Sequence, residues 1–341
     1  MQLKPSIGGR LAAAVSLVAA LAVACAPDTP VAAGERISLS RDTLTGAPPI
    51  IIAHRGASGL YPEHTLRAYE VAIDQGADFI EPDLVMTRDG VLVARHERTL
   101  SVSTDIAERP EFADRKTVKQ VNGEPHEDWF VEDFSLSELK SLRAIQTRPG
   151  RPQSYDGQFA IPTFTEILGL VAITNQTGQR LGVYPELKEA AYFASIGQDM
   201  RTALLSALEA ADLRSLNAPV FIQSFEPGVL QTIAASSDWP VIQLLPVNAP
   251  VEPTLKEISE YADGIGPWKQ LMANHAGGAG AYISRAHAEG LLVHPYTYRD
   301  DALPDGFDTI SEELNAAFAA GVDGVFTDFP LSAIEIRDSR E

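Results

Sequence analysis

Nine short apolar runs alternating with stretches of helical period predict an α/β chain, and three observations narrow it to a closed (β/α)8, or TIM, barrel. Several of the runs are almost continuous Ile, Val, Leu and Phe, the pattern of strands buried on both faces of a parallel sheet. Two of them are joined only by Thr87-Arg88-Asp89-Gly90. That link is too short for a crossover helix and carries the Asp-Gly signal of a tight turn, so counting the two runs as a hairpin leaves eight barrel strands. No G-x-G-x-x-G loop follows the first run, which argues against a doubly wound sheet.

The chain opens with a targeting segment. Lys4 and Arg10 form a basic region, and Leu11 to Val23 is an apolar stretch too short for a confident membrane span. It leads into Leu21-Ala22-Val23-Ala24-Cys25, similar to a bacterial lipobox except that Ala22 stands where a leucine is usual. Residues 1–24 are expected to be an export signal, with Cys25 lipidated and able to anchor the protein to a membrane. Ordinary cleavage after Ala24 is the alternative. Residues 25–48 are expected to be a flexible tether. The expected location is outside the cytoplasm, periplasmic or membrane-anchored.

The strand runs are Ile50–Ala53, Phe79–Met86, Val91–Arg95, Leu181–Leu187, Val220–Phe225, Val241–Leu245, Ala262–Ile265, Leu291–Pro295 and Gly324–Asp328. Helical period predicts helices over Thr65–Gln75, Thr163–Thr174, Ser195–Ala211, Gly278–Ala288 and Ser311–Ala320, with Gly76, Gly290 and Gly321 as C-terminal caps. Residues 101–160 lack strand signals and are rich in charge, Pro and Gly. They are expected to be an insertion after the third run, crossing one barrel end. One barrel domain is therefore predicted over residues 49–335, with a short tail at 336–341.

Composition bounds the function. An apolar content of 45% in 341 residues excludes a disordered chain. A net charge of −19 argues against nucleic-acid binding, so any anionic substrate needs a local cluster of cations. A single cysteine excludes an internal disulfide and Cys-rich zinc sites.

Reactive groups of a TIM barrel sit at the carboxyl ends of its strands. His54 and Arg55 follow the first strand. Glu81 and Asp83 lie two apart on the second, on one face, and pairing them in a core calls for a metal ion. The antiparallel return is expected to place His96 roughly opposite Asp83. Glu186 and Lys188 repeat the two-residue spacing and add an oxygen ligand and a cation. Each signal is weak alone: such pairs are more often structural or solvated. Together they supply acid–base groups, a hard-cation site and two cations suited to a phosphate. Gln223, Tyr184, Trp268, His294 and Tyr296 are secondary pocket candidates, while His126, His275 and His287 have the look of structural or solvated residues.

The same residues fall in motifs. His54-Arg55-Gly56-Ala57-Ser58, Pro62-Glu63-His64-Thr65, Glu81-x-Asp83, His96, Pro185-Glu186-Leu187-Lys188, Gln223-Ser224-Phe225 and Thr327-Asp328-Phe329-Pro330 resemble the glycerophosphodiester phosphodiesterase family. The Pro-Glu-His-Thr form and His294-Pro295-Tyr296-Thr297 are similar to its exported bacterial branch. The resemblance runs from about Ile50 to about Ser332. It implies a phospholipase C-like TIM barrel that cleaves glycerophosphodiesters, such as glycerophosphocholine or glycerophosphoethanolamine, to glycerol 3-phosphate and an alcohol. It further implies His54 and His96 as the acid–base pair, Glu81, Asp83 and Glu186 as ligands of one divalent cation (Ca²⁺ favoured, Mg²⁺ the alternative), and Arg55 and Lys188 as phosphate contacts.

The chain departs from the family in carrying His96-Glu97 where His-Asp is usual. Either Glu97 replaces the Asp in orienting the histidine or the site is impaired. Two rivals stand beside the phosphodiesterase: a non-catalytic surface binding protein retaining the fold, and a barrel glycosidase using Glu81 and Glu186. The glycosidase would leave both histidines, Arg55 and Lys188 without a role.

Overall fold

Eight strand paths wind in one direction around a closed barrel in the computed structural model, which describes residues 43–340 apart from 122, 250 and 251. Cys25, the export segment and most of the expected tether lie outside the described residues. The strands are β1 (Ile50–His54), β2 (Phe79–Glu81), β3 (Asp83–Met86), β4 (Leu92–Ala94), β5 (Thr117–Val121), β6 (Glu124–Asp128), β7 (Gly182–Val183), β8 (Glu186–Leu187), β9 (Ile222–Ser224), β10 (Val241–Leu245), β11 (Gly264–Pro267), β12 (Leu292–Val293) and β13 (Gly324–Thr327). The helices are α1 (Leu66–Asp74), α2 (Leu136–Leu139), α3 (Phe164–Gln176), α4 (Ala190–Ser195), α5 (Met200–Ala210), α6 (Pro227–Ala234), α7 (Glu252–Ile258), α8 (Lys269–Ala273), α9 (Gly278–Ala288), α10 (Ile310–Ala320) and α11 (Pro330–Asp338). Among the described residues no helix is long and apolar enough to cross a membrane.

Two hydrogen-bonded arcs make the barrel, ordered β13-β1-β2-β7 and β12-β11-β10-β9-β8-β3-β4. The prolines at 82 and 185 split the predicted runs 79–86 and 181–187 into β2/β3 and β7/β8, because proline has no N–H to donate. The ladder nevertheless crosses both breaks, with Tyr184 N donating to Ile80 O and Glu186 N to Pro82 O at 2.9 Å each. At the seam, Asp323 N donates to Val293 O at 2.9 Å and Tyr298 N to Phe326 O at 2.8 Å. The predicted hairpin is present as β3 and β4, antiparallel with Val85 opposite Val93.

Alternate strand residues Ile52, Phe79, Tyr184, Ile242 and Phe326 form one buried cluster, and the opposite faces pack on the helices in a second, larger one. Phe79 fits because residue 182 is glycine: a Cβ there would lie 2.3 Å from its ring. Helix starts follow local chemistry. Thr163 with Glu166 and Thr309 with Glu312 make capping boxes on α3 and α10. Pro227 and Pro330 open α6 and α11, where a missing N–H costs nothing.

Three expectations change. Helix α5 begins at Met200 rather than Ser195, because Gly197 (φ 85°) ends α4 and Asp199 caps α5 by accepting from Thr202 N. Helix α11 continues to Asp338, into the stretch expected as a tail. Residues 101–160 do contain strands: β5 and β6 pair antiparallel, Lys119 opposite His126. Both are mostly exposed and polar on both faces, so neither carries the alternation that marks a half-buried strand.

Candidate active site

The turn after β1 sets the first two residues. Arg55 has φ 60° and Gly56 φ 82°, and a Cβ on Gly56 would lie 2.6 Å from the backbone carbon of Ala68. Glycine therefore lets the turn close onto α1, where Ala57 N donates to Ala68 O at 2.8 Å. The turn aims Arg55 N at Glu81 Oε2, 2.9 Å away, and Arg55 Nη1 at Glu63 Oε2, also 2.9 Å.

Register gathers the acids. Asp83 pairs with Glu186 and Glu186 with Gln223 on neighbouring strands, while His54 pairs with Glu81. Oxygens of Glu81, Asp83 and Glu186 lie within 4.8 Å of one another, and all three residues are buried. Burial, and then repulsion by Asp83 and Glu186, pushes the Glu81 carboxyl well above its usual range. Burial likewise lifts Glu186 to about 8, against the pull of Lys188. For Asp83, burial acts upward too, but Lys188 and Arg55 outweigh it and hold the carboxyl well below the usual range. Asp83 Oδ1 is buried with no hydrogen-bond partner. An all-oxygen, over-charged trio with an orphaned acceptor fits a hard divalent cation.

Around the trio stand the remaining predicted residues. A cavity of about 140 Å³ is lined by His54, Arg55, Glu81, His96, Glu186 and Lys188 on its polar side. Phe225, Leu244, Tyr296 and Phe326 form its apolar wall. Lys188 Nζ is 3.0 Å from Glu186 Oε1. His54 Nδ1 is 2.6 Å from Asp328 Oδ1. Burial, and next the Arg55 charge, lowers His54 to about 4, so its imidazole is neutral at pH 7. For Asp328 burial acts upward, but His54, Arg299 and Arg151 keep it ionised well below the usual range. An ionised carboxylate can only accept, so Nδ1 of His54 carries the proton and Nε2 is the bare nitrogen.

His96 arrives one residue later than expected. Arg95 N donates to Asp83 O at 3.0 Å, so Arg95 rather than His96 stands opposite Asp83. The Arg95 guanidinium turns inward, giving Nη2 to Glu63 O at 2.9 Å and Nη1 to Ser103 O at 3.0 Å. The chain bends after it and brings His96 to the cavity. Glu97 does reach its neighbour: Oε1 hydrogen-bonds His96 Nδ1.

Of the secondary candidates, Gln223 and Tyr296 line the cavity. Tyr184 and His294 are buried and bond each other, Tyr184 Oη to His294 Nδ1 at 2.9 Å, and Trp268 is not among the lining residues. His287 is structural, 2.8 Å from Asp323. Beyond Arg299, which lines the cavity and gives Nε to Asp328 Oδ2 at 2.7 Å, sequence reasoning missed four supporting groups. Asp328 lies in the last motif, Glu63 and His64 in the second, with His64 Nε2 donating to Asp83 Oδ2 at 2.9 Å. Arg151 comes from the insertion, where no motif flags it, and gives Nη2 to Asp328 Oδ2 at 2.6 Å.

Comparison with known proteins agrees over nearly the whole barrel. The model of the glycerophosphoryl diester phosphodiesterase family matches residues 54–332. The chain is 35% identical over 323 residues to glycerophosphodiester phosphodiesterase GDPD6 of Arabidopsis thaliana, covering 85% of this chain and 86% of the relative. It is 31% identical over 332 residues to glycerophosphodiester phosphodiesterase of Haemophilus influenzae, covering 84% and 89%. A solved Oleispira antarctica phosphodiesterase, in complex with the product sn-glycerol-3-phosphate, has the same fold, with a TM-score of 0.63 at 21% identity over 87% of this chain and 99% of that one. With the motifs, the barrel and the carboxylate trio in place, this chain belongs to the glycerophosphoryl diester phosphodiesterase family.

Proposed function

We propose that the chain hydrolyses glycerophosphodiesters to glycerol 3-phosphate and an alcohol. One observation carries this reading above the rest: Glu81 and Glu186, with oxygens within 4.8 Å of those of the buried Asp83, line one small apolar-walled cavity together with His54, His96, Arg55, Lys188 and Arg299. The names of the relatives and the product bound to the Oleispira protein support the same chemistry.

Glu81, Asp83 and Glu186 would hold one divalent cation. Ca²⁺ suits three protein carboxylates better than Mg²⁺, which is usually held by one or two. When bound, the cation supplies positive charge to an oxygen of the phosphodiester. Arg55 and Lys188 flank the same space, the first suited to two-point contact with phosphate oxygens and the second to a single charge contact. His54, with Nε2 bare and Nδ1 held by Asp328, accepts the proton of the nucleophile. His96, held by Glu97, protonates the departing alcohol. Each transfer contributes on the order of 10²–10⁴ in rate. Phe225, Leu244, Tyr296 and Phe326 limit water around the reacting groups.

The direct test is incubation with glycerophosphocholine, with and without EDTA, assaying choline and glycerol 3-phosphate. Metal-dependent release of both supports the reading. A folded protein that releases neither with any divalent ion would instead be a binding protein on the same fold. We further propose export with lipidation at Cys25. Intact-mass measurement of the membrane fraction tests this, and a mature N-terminus lacking diacylglycerol would leave simple secretion.

A further inference from the structure

The Pro62-Glu63-His64-Thr65 motif supplies neither a proton-transfer group nor a phosphate contact, yet it sets a histidine against the candidate metal site. His64 is fully buried and takes a left-handed backbone, φ 57°. Few residues other than glycine accept that conformation, and asparagine, aspartate and histidine lead them. The turn is held from both sides: His64 N donates to Arg55 O at 3.1 Å, and Arg95 Nη2 donates to His64 O at 3.3 Å. Thr65 then caps α1 by accepting from Ala68 N, so the helix starts at once and brings Tyr69 back to the imidazole.

Both ring nitrogens are engaged. Nε2 lies 2.9 Å from Asp83 Oδ2, and Nδ1 lies 2.8 Å from Tyr69 Oη. The ionised Asp83 can only accept, so Nε2 carries the proton and donates, while the bare Nδ1 accepts from the Tyr69 hydroxyl. Tyr69, His64 and Asp83 thus form a chain in which each donor points toward the carboxylate. All three side chains are buried, so water does not compete for these bonds.

The two oxygens of Asp83 are therefore unequal. Oδ2 accepts from His64, and Arg55 Nε lies 3.2 Å from the same atom. Oδ1 is buried with no hydrogen-bond partner, and Asp83 belongs to the trio whose oxygens lie within 4.8 Å of one another. A carboxylate with both oxygens free turns about a broad, two-fold torsion and can present either of them. Holding Oδ2 removes that freedom before a cation arrives, and a ligand ordered beforehand loses less entropy on binding.

We propose that His64, itself oriented by Tyr69, is a positioning residue for the metal: it fixes Asp83 as a one-oxygen ligand and leaves Oδ1 to the cation. This role rests on the proposed cation at Glu81, Asp83 and Glu186, not on the reaction that the cation serves. Its test titrates the metal-free full chain with Ca²⁺ by calorimetry, with no substrate present. His64→Asn tolerates the left-handed backbone, and its shorter side chain can meet Tyr69 but not Asp83. It should weaken Ca²⁺ binding by about tenfold. His64→Gln brings an amide N–H close to the place of Nε2 and should bind Ca²⁺ within about threefold of the wild type. Tyr69→Phe removes the hydroxyl that fixes the ring and should weaken binding by about threefold.

Unchanged Ca²⁺ affinity in His64→Asn, with only the melting temperature of the metal-free protein lowered, would make His64 a packing residue and overturn the proposal. Equal losses in His64→Asn and His64→Gln overturn it too, because the bond to Asp83 would then not be what matters. Should His64→Asn fail to fold, Tyr69→Phe decides alone: weaker Ca²⁺ binding supports the chain of bonds, and unchanged binding rejects it. A folded wild type that binds no divalent cation removes the metal site and this role with it. That outcome differs from a wild type that binds Ca²⁺ beside variants that bind it equally well, which removes the role of His64 alone.

Discussion

His54 Nδ1 stands 2.6 Å from Asp328 Oδ1, and the other oxygen of that carboxylate is held by Arg151 Nη2 at 2.6 Å and Arg299 Nε at 2.7 Å. The end of β13, the insertion and the chain beyond β12 thus converge on the tautomer of one imidazole. An aspartate clamped by two arginines stays ionised and keeps Nε2 of His54 free to accept a proton.

Asp328→Asn should leave the barrel folded but lower kcat by on the order of 10²–10⁴. An amide can offer its NH2 to Nδ1 and favour the other tautomer, and it no longer balances two arginines. Steady-state kinetics beside far-UV circular dichroism decide the matter. A kcat within threefold of wild type would show that the orientation is dispensable.

Metal removal should abolish activity and lower the melting temperature, with Ca²⁺ at about a hundred times its Kd restoring about 3 kcal/mol of stability. Glu81→Ala, Asp83→Ala and Glu186→Ala should each weaken metal binding, because each removes one oxygen from a site of three buried carboxylates. Unchanged metal content and activity in all three would sink the assignment.

Arg151 ties the insertion down: Nε reaches Asp301 at 2.7 Å, Nη1 the Ser58 carbonyl at 3.2 Å and Nη2 Asp328. Arg151→Met leaves Asp328 buried with one partner fewer and should destabilise by about 3–5 kcal/mol. Hydrogen exchange should show residues 144–160 losing protection first. Uniform loss across the barrel would contradict this anchoring role.

Acid should weaken the fold through His294, whose buried ring is pushed down to about 4 by desolvation. Between pH 6.5 and about 4 the unfolded chain binds a proton that the folded chain refuses, so this contribution is present above pH 6.5 and lost as pH falls. The full effect is about 3 kcal/mol. Urea titrations of the metal-free protein at pH 7 and pH 4.5, repeated with His294→Asn, measure it. An identical pH dependence in the variant would remove His294 from the account.

The nucleophile offers the last test. A glycerol hydroxyl next to the phosphoester is already positioned, and intramolecular attack gains a large effective concentration over water. A cyclic glycerol phosphate would form first and then be opened by water, with the two histidines exchanging roles. A substrate lacking that hydroxyl should bind yet react far more slowly. Turnover of the deoxy analogue at the normal rate would establish direct attack by water.

Much of the molecule is legible in one dimension because its signals are local. Strands buried on both faces must be apolar throughout, so the barrel strands announce themselves as runs. Glu81 and Asp83 share a face because strand period is two, and the turn 87–90 must reverse the chain because it is too short to do anything else. The hairpin Thr117–Asp128 escaped notice for the converse reason: with little buried surface it has no pattern to show.

What the sequence determined by itself is the set of candidate groups gathered at the site, their order along the chain and the barrel end at which they collect, because residue type and backbone period are encoded position by position. Only the tertiary structure decided how those groups are held. The seating of Asp328 on His54, the reach of Arg151 across 177 residues to the same carboxylate, and the one-residue shift that buries Arg95 and frees His96 all depend on packing between segments distant in the chain. Such contacts are set by close packing and by the need of every buried charge to find a partner, and neither leaves a periodic trace in the sequence.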